Sequence, residues 1–284
     1  MRLLAGRRLW FVGIGGTGMS ALAVVCRAWG AEVAGSDREA TGYTGRLEEL
    51  GIEVTIGHRA ENLPDGWEVI VSSAILPGNP ELVPGARRRG ELLAELVALR
   101  PSIVVAGAHG KTTTTAMIAF VLDGLGLDPA FLVGGTVPQL GGNARAGEGW
   151  LVAEGDESDR SLALLAPRVA VVTNVDLDHH VSYASLAEVT RFFDEWLAGL
   201  PPDAAIVRGD DLEPPAELEL AVPGEHNRRN AAAALAALAA AGVDRAAALA
   251  ELARFRGVGR RFQAHGEEAG VRVYDDYGHH PAEI

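Results

Sequence analysis

Short apolar runs alternate with stretches of helical periodicity from the start of the chain. Residues 9–14 form an apolar run, residues 18–29 follow with a helical period, and residues 32–35 and 45–50 repeat that order. This alternation is typical of βαβ units, in which helices cover a mostly parallel sheet. The pattern therefore predicts an α/β fold class with a Rossmann-like first domain.

A second unit of the same kind begins after Pro101. An apolar run over 103–106 leads into a glycine-bearing loop and a helical pattern over 112–125. Two further apolar runs, over 150–153 and 169–173, each end in a cluster of acidic residues. We place the domain limits at residues 1–100, 101–257 and 258–284.

Composition narrows the classes of partner. The formal net charge of -13 opposes attraction to phosphate backbones, so we expect no nucleic-acid partner. Cys26 is the only cysteine, which excludes disulfides within the chain and fits a reducing cytoplasm. The longest apolar candidate, residues 231–241, is mostly alanine and too short to span a bilayer. We expect no membrane partner.

The loop after the run 103–106 has the character of a phosphate-binding loop. It contains Gly107, Gly110, Lys111 and Thr112 between a predicted strand and a predicted helix, where backbone N–H groups can surround a phosphate. The usual Walker pattern would place its first glycine at Val105, so the spacing departs from it. Lys111 is the only lysine in the chain. The alternative is an ordinary glycine-containing turn.

The carboxyl ends of parallel strands gather at one edge of a sheet, so the residues after 106, 153 and 173 should meet. Hard oxygens and an imidazole beside a triphosphate predict a magnesium site. The alternative is a pair of solvated acidic loops whose carboxylates cap helices. The two acidic clusters consist of Glu154, Asp156, Glu157 and Asp159, and of Asn174, Asp176, Asp178, His179 and His180.

A glycine fingerprint near the start of the chain also predicts a nucleotide site. Gly13, Gly15, Gly16 and Gly18 follow a predicted strand, and Asp37 lies at the distance of a ribose-binding acid. The fingerprint requires only a diphosphate at a helix N-terminus near a ribose. Both NAD and a uridine diphosphate satisfy it.

Taken together, these motifs resemble one family, the Mur ligases, and within it the members that add L-alanine. The matches run in family order along nearly the whole chain. The matching segments are residues 13–20, 72–75, 79–81, 109–115, 153–159, 174–179, 224–230, 260–263 and 275–281.

The resemblance implies a UDP-sugar-binding Rossmann-like domain, a central P-loop ATPase domain, and the start of a third Rossmann-like domain. It implies ATP-dependent ligation of L-alanine to UDP-N-acetylmuramic acid through an acyl-phosphate, with Mg²⁺, in peptidoglycan synthesis. By that reaction the substrates are ATP, UDP-N-acetylmuramate and L-alanine.

The resemblance also implies roles for individual residues. The ATP-binding set is Gly107, His109, Gly110, Lys111, Thr112, Thr113, His226, Asn227 and Asn230. The UDP-sugar set is Gly13, Gly15, Gly16, Gly18, Ser20, Asp37, Ser72, Ser73 and Asn79. The metal ligands are Thr112, Glu154 and His179. The catalytic set is Lys111, Glu154, His179 and Arg261, and the amino-acid side holds Tyr277 and His279.

Two positions depart from the family pattern: Ala108 replaces a threonine of the phosphate loop, and Val181 replaces an acid after the metal histidine. The family also has a third domain beyond Ile284, on the order of a hundred residues. One alternative is therefore a truncated module that binds UDP-sugar or ATP without ligation. Another is an NAD-dependent oxidoreductase, which would leave Lys111 and both acidic clusters unexplained.

Overall fold

The computed structural model describes residues 2–178, 182–261, 263–268 and 270–278. The first part of the chain forms β1 (Arg8–Val12), α1 (Thr17–Ala28), β2 (Glu32–Asp37), α2 (Gly42–Glu49), β3 (Glu53–Ile56), β4 (Glu68–Val71), β5 (Arg87–Arg88) and α3 (Arg89–Ala98). The middle part forms β6 (Ser102–Ala106), α4 (Lys111–Gly124), β7 (Ala130–Val137), β8 (Gly142–Arg145), β9 (Leu151–Glu154), β10 (Val169–Val172), α5 (Leu186–Ala198), β11 (Ala205–Arg208), α6 (Glu225–Ala240) and α7 (Arg245–Leu252). The strands β12 (Gln263–Glu268) and β13 (Val271–Asp275) follow.

The first sheet is parallel and has the strand order β3-β2-β1-β4-β5. Strand β1 is central, and its register pairs Phe11 with Gly35 of β2 and with Ile70 of β4. The chain reverses direction of winding at β1, so the loop after Val12 opens at a topological switch point. Ligands of doubly wound folds bind at such a crevice. The predicted α/β fold class is confirmed.

The second sheet has the strand order β11-β10-β6-β9-β7-β8. All its pairs are parallel except β7 with β8. The three strands predicted to end together, β9, β6 and β10, are direct neighbours. The phosphate loop therefore leaves the sheet between the two acidic segments. Helices α4, α6 and α7 cover one face of this sheet with a core that includes Ile118, Phe131 and Leu235.

A continuous core joins the two sheets on the other face of the second one. Leu22 of α1 and Leu93 of α3 belong to the same buried cluster as Val104 and Leu132. The approach is close: a Cβ on Gly90 would lie 2.3 Å from the Cβ of Ser161. The two nucleotide loops are therefore carried by elements that share one buried core.

The segment after residue 257 contributes an antiparallel hairpin of β12 and β13. Its Val271, Val273 and Tyr274 side chains are exposed. Within the described ranges, every helix is too short or too polar to cross a bilayer.

Candidate active site

Lys111 begins α4 and lies at the centre of the phosphate loop. Its ammonium donates to the backbone oxygens of Gly107 at 2.5 Å and of Ala108 at 3.3 Å. It also donates to Oε1 of Glu157 at 2.7 Å, and Glu157 is only 3% exposed. These three acceptors match the three hydrogens of an ammonium group. The lysine is thus held inside the loop that would surround a phosphate.

Two glycines give the loop its shape. Gly107 and Gly110 have φ angles of 124° and 80°, in the left-handed region that favours glycine. A Cβ on Gly107 would lie 2.2 Å from Oγ1 of Thr173, and one on Gly110 would lie 2.1 Å from Oδ1 of Asn230. Both glycines are therefore required by conformation and by space.

The end of β10 holds the phosphate loop from the other side. Oδ1 of Asn174 accepts from the backbone N–H of His109 at 2.9 Å, and Nδ2 donates to the backbone oxygen of His109 at 2.9 Å. Oγ1 of Thr173 donates to the same oxygen at 2.6 Å. Asn174 therefore holds the backbone of the phosphate loop in place. The sequence pattern had placed Asn174 only in an acidic cluster.

Two of the three predicted metal ligands lie together. Oγ1 of Thr112 donates to Oε2 of Glu154 at 3.2 Å, and the backbone N–H of Gly134 donates to Oε1 of the same carboxylate. Burial raises the pKa of Glu154, although the Gly134 hydrogen bond and the charge of Lys111 act in the opposite direction. A hydroxyl and a carboxylate beside a phosphate loop are hard oxygen donors that suit Mg²⁺. The third predicted ligand, His179, lies outside the described residues.

A cavity of about 890 Å³ opens on one side of the phosphate loop. It is bounded by the N-terminal end of α6 and by residues 257–261. Nδ2 of Asn227 donates to the backbone oxygen of Pro223 at 2.6 Å, which orients the amide at the cavity wall. The predicted ATP residues that line the cavity are His109, Gly110, Thr112, Thr113, His226, Asn227 and Asn230.

A second cleft of about 450 Å³ lies between the glycine fingerprint and the phosphate loop. Gly16, Gly18, Ser72 and Ser73 line it from the first domain. Lys111, Thr112, Glu154, Arg261 and Tyr277 line it from the rest of the chain. The structure thus brings predicted UDP-sugar residues and the predicted ATP residues Lys111 and Thr112 to the walls of one cleft.

The base of the glycine fingerprint is closed by a hydrogen bond within the first domain. The backbone N–H of Gly15 donates to Oδ2 of Asp37 at 2.7 Å. Gly13 has a φ of 81°, and a Cβ there would lie 3.2 Å from the Cβ of Ser72. Asp37 and Ser72 therefore lie beside the glycine loop, and their contact with a UDP-sugar stays a prediction.

Two predicted UDP-sugar residues have their polar groups turned to the protein. Ser20 is 2% exposed and its hydroxyl donates to the backbone oxygen of Thr17 at 3.0 Å. Oδ1 of Asn79 accepts from the backbone N–H of Glu81 at 2.9 Å. Both side chains bond to the backbone of their own segments, and their direct contact with a ligand stays a prediction.

The predicted amino-acid side is described only in part. The ring of Tyr277 is 51% exposed and lies under two guanidinium groups, 4.9 Å from that of Arg260 and 5.3 Å from that of Arg261. Cations stack favourably on tyrosine rings at these distances. His279, the other predicted residue on this side, lies outside the described residues.

Known proteins are similar to this chain in sequence and in fold. The Mur ligase family catalytic domain matches residues 8–99, and the Mur ligase middle domain matches residues 105–216. The UDP-N-acetylmuramate--L-alanine ligase of Rubrobacter xylanophilus is 41% identical, over 98% of this chain and 72% of that protein. The chain belongs to the Mur ligase family.

Two further relatives support the assignment of this Mur ligase chain. The enzyme of the same name from Synechococcus sp. is 43% identical, over 96% of this chain and 63% of that protein. The crystal structure of the UDP-N-acetylmuramate-alanine ligase from Thermotoga maritima superposes with a TM-score of 0.86 at 32% identity. The superposition covers 97% of this chain and 75% of the Thermotoga maritima chain. The Mur ligase chain spans between three fifths and three quarters of the length of these relatives.

Sequence reasoning missed two charged residues that organise the site of this Mur ligase chain. Arg89, the first residue of α3, bonds to Asp156 across the groove at 2.7 Å. Glu81 is 0% exposed and accepts from Arg59, Asn62 and other donors of the first domain. The sequence does not distinguish Arg89 from the two arginines that precede it, so it gave no signal that Arg89 contacts Asp156. Glu81 lay in a motif segment, but its burial could not be seen from the sequence.

Proposed function

We propose that this chain binds ATP and UDP-N-acetylmuramate and takes part in the ATP-dependent ligation of L-alanine to that sugar. The reaction belongs to peptidoglycan synthesis in the cytoplasm. One observation carries the proposal: Gly110, Thr112 and Arg261 line both the 890 Å³ cavity and the 450 Å³ cleft. A nucleotide in the cavity and a sugar nucleotide in the cleft would therefore meet at the phosphate loop.

The proposed chemistry is a phosphoryl transfer followed by an acyl transfer. A carboxylate oxygen of the muramyl group attacks the γ-phosphorus of ATP, the bond to ADP breaks, and an acyl-phosphate forms. The amine of L-alanine then attacks the acyl carbon, phosphate leaves with the bonding electrons, and the amine loses a proton. Such reactions depend on positioning and on charge stabilisation.

Residues of this chain supply both requirements. Lys111 lines the cleft and Arg261 lines both cavities, and both would spread the negative charge of the transferring phosphoryl group. The backbone N–H groups at the start of α4 would bind phosphate oxygens. Thr112 and Glu154 would hold Mg²⁺, which lowers the repulsion between the phosphates and the attacking carboxylate. The Lys111 ammonium must exchange at least one of its three protein acceptors for a phosphate oxygen.

Binding and turnover measurements test the proposal. Isothermal titration of the 284-residue chain should give separate sites for Mg-ATP and for UDP-N-acetylmuramate. Coupled detection of ADP should show release that depends on the sugar nucleotide and rises with L-alanine. Binding of both ligands with no release of ADP would favour the alternative of a binding module. Binding of NADH, measured through its fluorescence, would favour the alternative of an oxidoreductase.

Replacement of Lys111 tests the role of the phosphate loop. Lys111→Ala should abolish ADP release and weaken Mg-ATP binding, because it removes the only ammonium of the loop. UDP-N-acetylmuramate should bind as in the wild type. Arg245→Ala is the control, since it removes one exposed positive charge on α7. Turnover retained by Lys111→Ala would contradict the mechanism.

A further inference from the structure

Arg89 belongs to the first domain, and its cationic side chain lies in the cleft. Its side chain is 14% exposed, and its Nη2 lies 2.7 Å from Oδ2 of Asp156 and 3.8 Å from Oδ2 of Asp159. Both acids belong to the second domain. The guanidinium thus reaches across the groove from the N-terminal end of α3.

The other edge of the guanidinium faces the glycine fingerprint. A Cβ on Gly18 would lie 3.2 Å from Nη1 of Arg89 and 3.5 Å from its Cδ. All the hydrogen bonds and ion pairs that Arg89 makes with residues of the described ranges use Nη2. Nε and Nη1 thus remain as donors, and arginine lines the cleft beside Gly16, Gly18 and Ser73. A planar guanidinium with a free edge is suited to paired contacts with phosphate oxygens.

The charges around the cleft make the free edge of Arg89 important for binding an anion. Glu154, Asp156 and Asp178 line the same cleft and would repel an anionic substrate. Of the other cations that line it, Lys111 bonds within the phosphate loop and to Glu157, and Arg261 also lines the larger cavity. Among the cleft residues of the described ranges, Arg89 is thus the cation beside the glycine fingerprint. An anion at the fingerprint therefore has one strong charged partner.

We propose that Arg89 recognises the diphosphate of the sugar nucleotide through this free edge, while Asp156 holds the opposite edge of the guanidinium across the groove. The inference rests on the proposed function, because it names a residue that selects its substrate. Arg89 is a binding residue in this scheme, and the negative charge of Asp156 on Nη2 weakens the attraction of the guanidinium for the anionic substrate.

Titration with UDP, in EDTA to exclude metal ions, tests the proposal. Arg89→Ala should weaken UDP binding roughly 10- to 100-fold, the range expected for loss of a charge-assisted hydrogen bond. Arg89→Lys should recover only part of the affinity, since lysine keeps the charge and loses the planar fork. Asp156→Asn should bind UDP as tightly as the wild type or more tightly, because a competing charge is removed.

The two substitutions should have opposite effects on UDP affinity if Arg89 binds the diphosphate. They should have the same effect if Arg89 only joins the two domains through Asp156. If Arg89 only joined the domains, Arg89→Ala and Asp156→Asn would weaken UDP binding equally, and the proposal would be overturned. A loss with UDP-N-acetylmuramate but none with UDP would assign Arg89 to the muramyl carboxylate, which also overturns it. Arg88→Ala is the matched control, since Arg88 is the exposed neighbour.

Two further readouts make the result decisive. Mg-ATP affinity should be unchanged in Arg89→Ala, which shows that the variant is folded and that the effect is confined to the sugar nucleotide. If the wild type itself bound no UDP, the proposed function would fail. If the wild type bound UDP and Arg89→Ala bound it equally well, only the inference about Arg89 would fail.

Discussion

Replacement of Glu81 by glutamine removes a negative charge from a carboxylate that is 0% exposed. Oε1 of Glu81 accepts from the backbone N–H of Arg59 at 3.0 Å and from Nδ2 of Asn62 at 2.6 Å. Oε2 accepts from the hydroxyl of Ser36 and from Nε1 of Trp10 at 3.3 Å. The carboxylate therefore ties together β1, β2 and the loop that follows β3.

The magnitude follows from which donors a glutamine could still satisfy. Its single oxygen can face Arg59 and Asn62, and its amide can then donate to Ser36, whose hydroxyl is free to rotate. Nε1 of Trp10 is then left without an acceptor, because it can only donate. One unsatisfied buried donor costs about 1–3 kcal/mol, and loss of charge weakens the remaining bonds. We expect Glu81→Gln to lower the free energy of unfolding by about 3 kcal/mol.

Lowering the pH should reduce the difference in free energy of unfolding between Glu81→Gln and the wild type. Burial acts to raise the pKa of Glu81, but the hydrogen bonds from Ser36, Asn62, Arg59 and Trp10 outweigh it and lower the pKa. A carboxyl with a lowered folded pKa stabilises the protein above the ordinary value of about 4.3. This contribution is lost as the pH falls through the folded pKa, so only the wild type should show it.

Urea unfolding of the two proteins, from pH 7.5 down to the lowest pH at which both fold, measures this effect. Glu48→Gln on α2 is the control, since Glu48 is exposed in the same domain. A difference below 1 kcal/mol at pH 7.5 or a difference independent of pH would refute the reasoning.

Three further predictions concern other parts of the molecule. Gly110→Ala should weaken Mg-ATP binding in titrations at least 10-fold, because its Cβ would overlap Asn230. Asn174→Ala should weaken Mg-ATP binding about 10-fold while UDP binding is unchanged, because two hydrogen bonds to His109 are lost. Burial raises the pKa of Cys26 to about 12, so a thiol reagent at pH 8 should label it only after urea unfolding.

The larger elements followed from periodicity, and the smallest did not. The patterns predicted β1, α1, β6 and α4 within a few residues of their observed limits. The two-residue strand β5 was not predicted, because two residues carry no period. The strand β3 was not predicted. Its residues are half-buried or exposed at the edge of the sheet, where the apolar pattern is weak.

The sequence by itself determined the class of fold and the type of chemistry. Alternation of apolar runs and helical periods specifies a parallel sheet, and glycines beside a single lysine specify a phosphate loop, because both depend on neighbours along the chain. The tertiary structure decided which charges meet. Arg89 reaches Asp156 over 67 residues, and Glu81 reaches Ser36 over 45. Such contacts depend on how sheets and helices pack, and no local pattern encodes that packing.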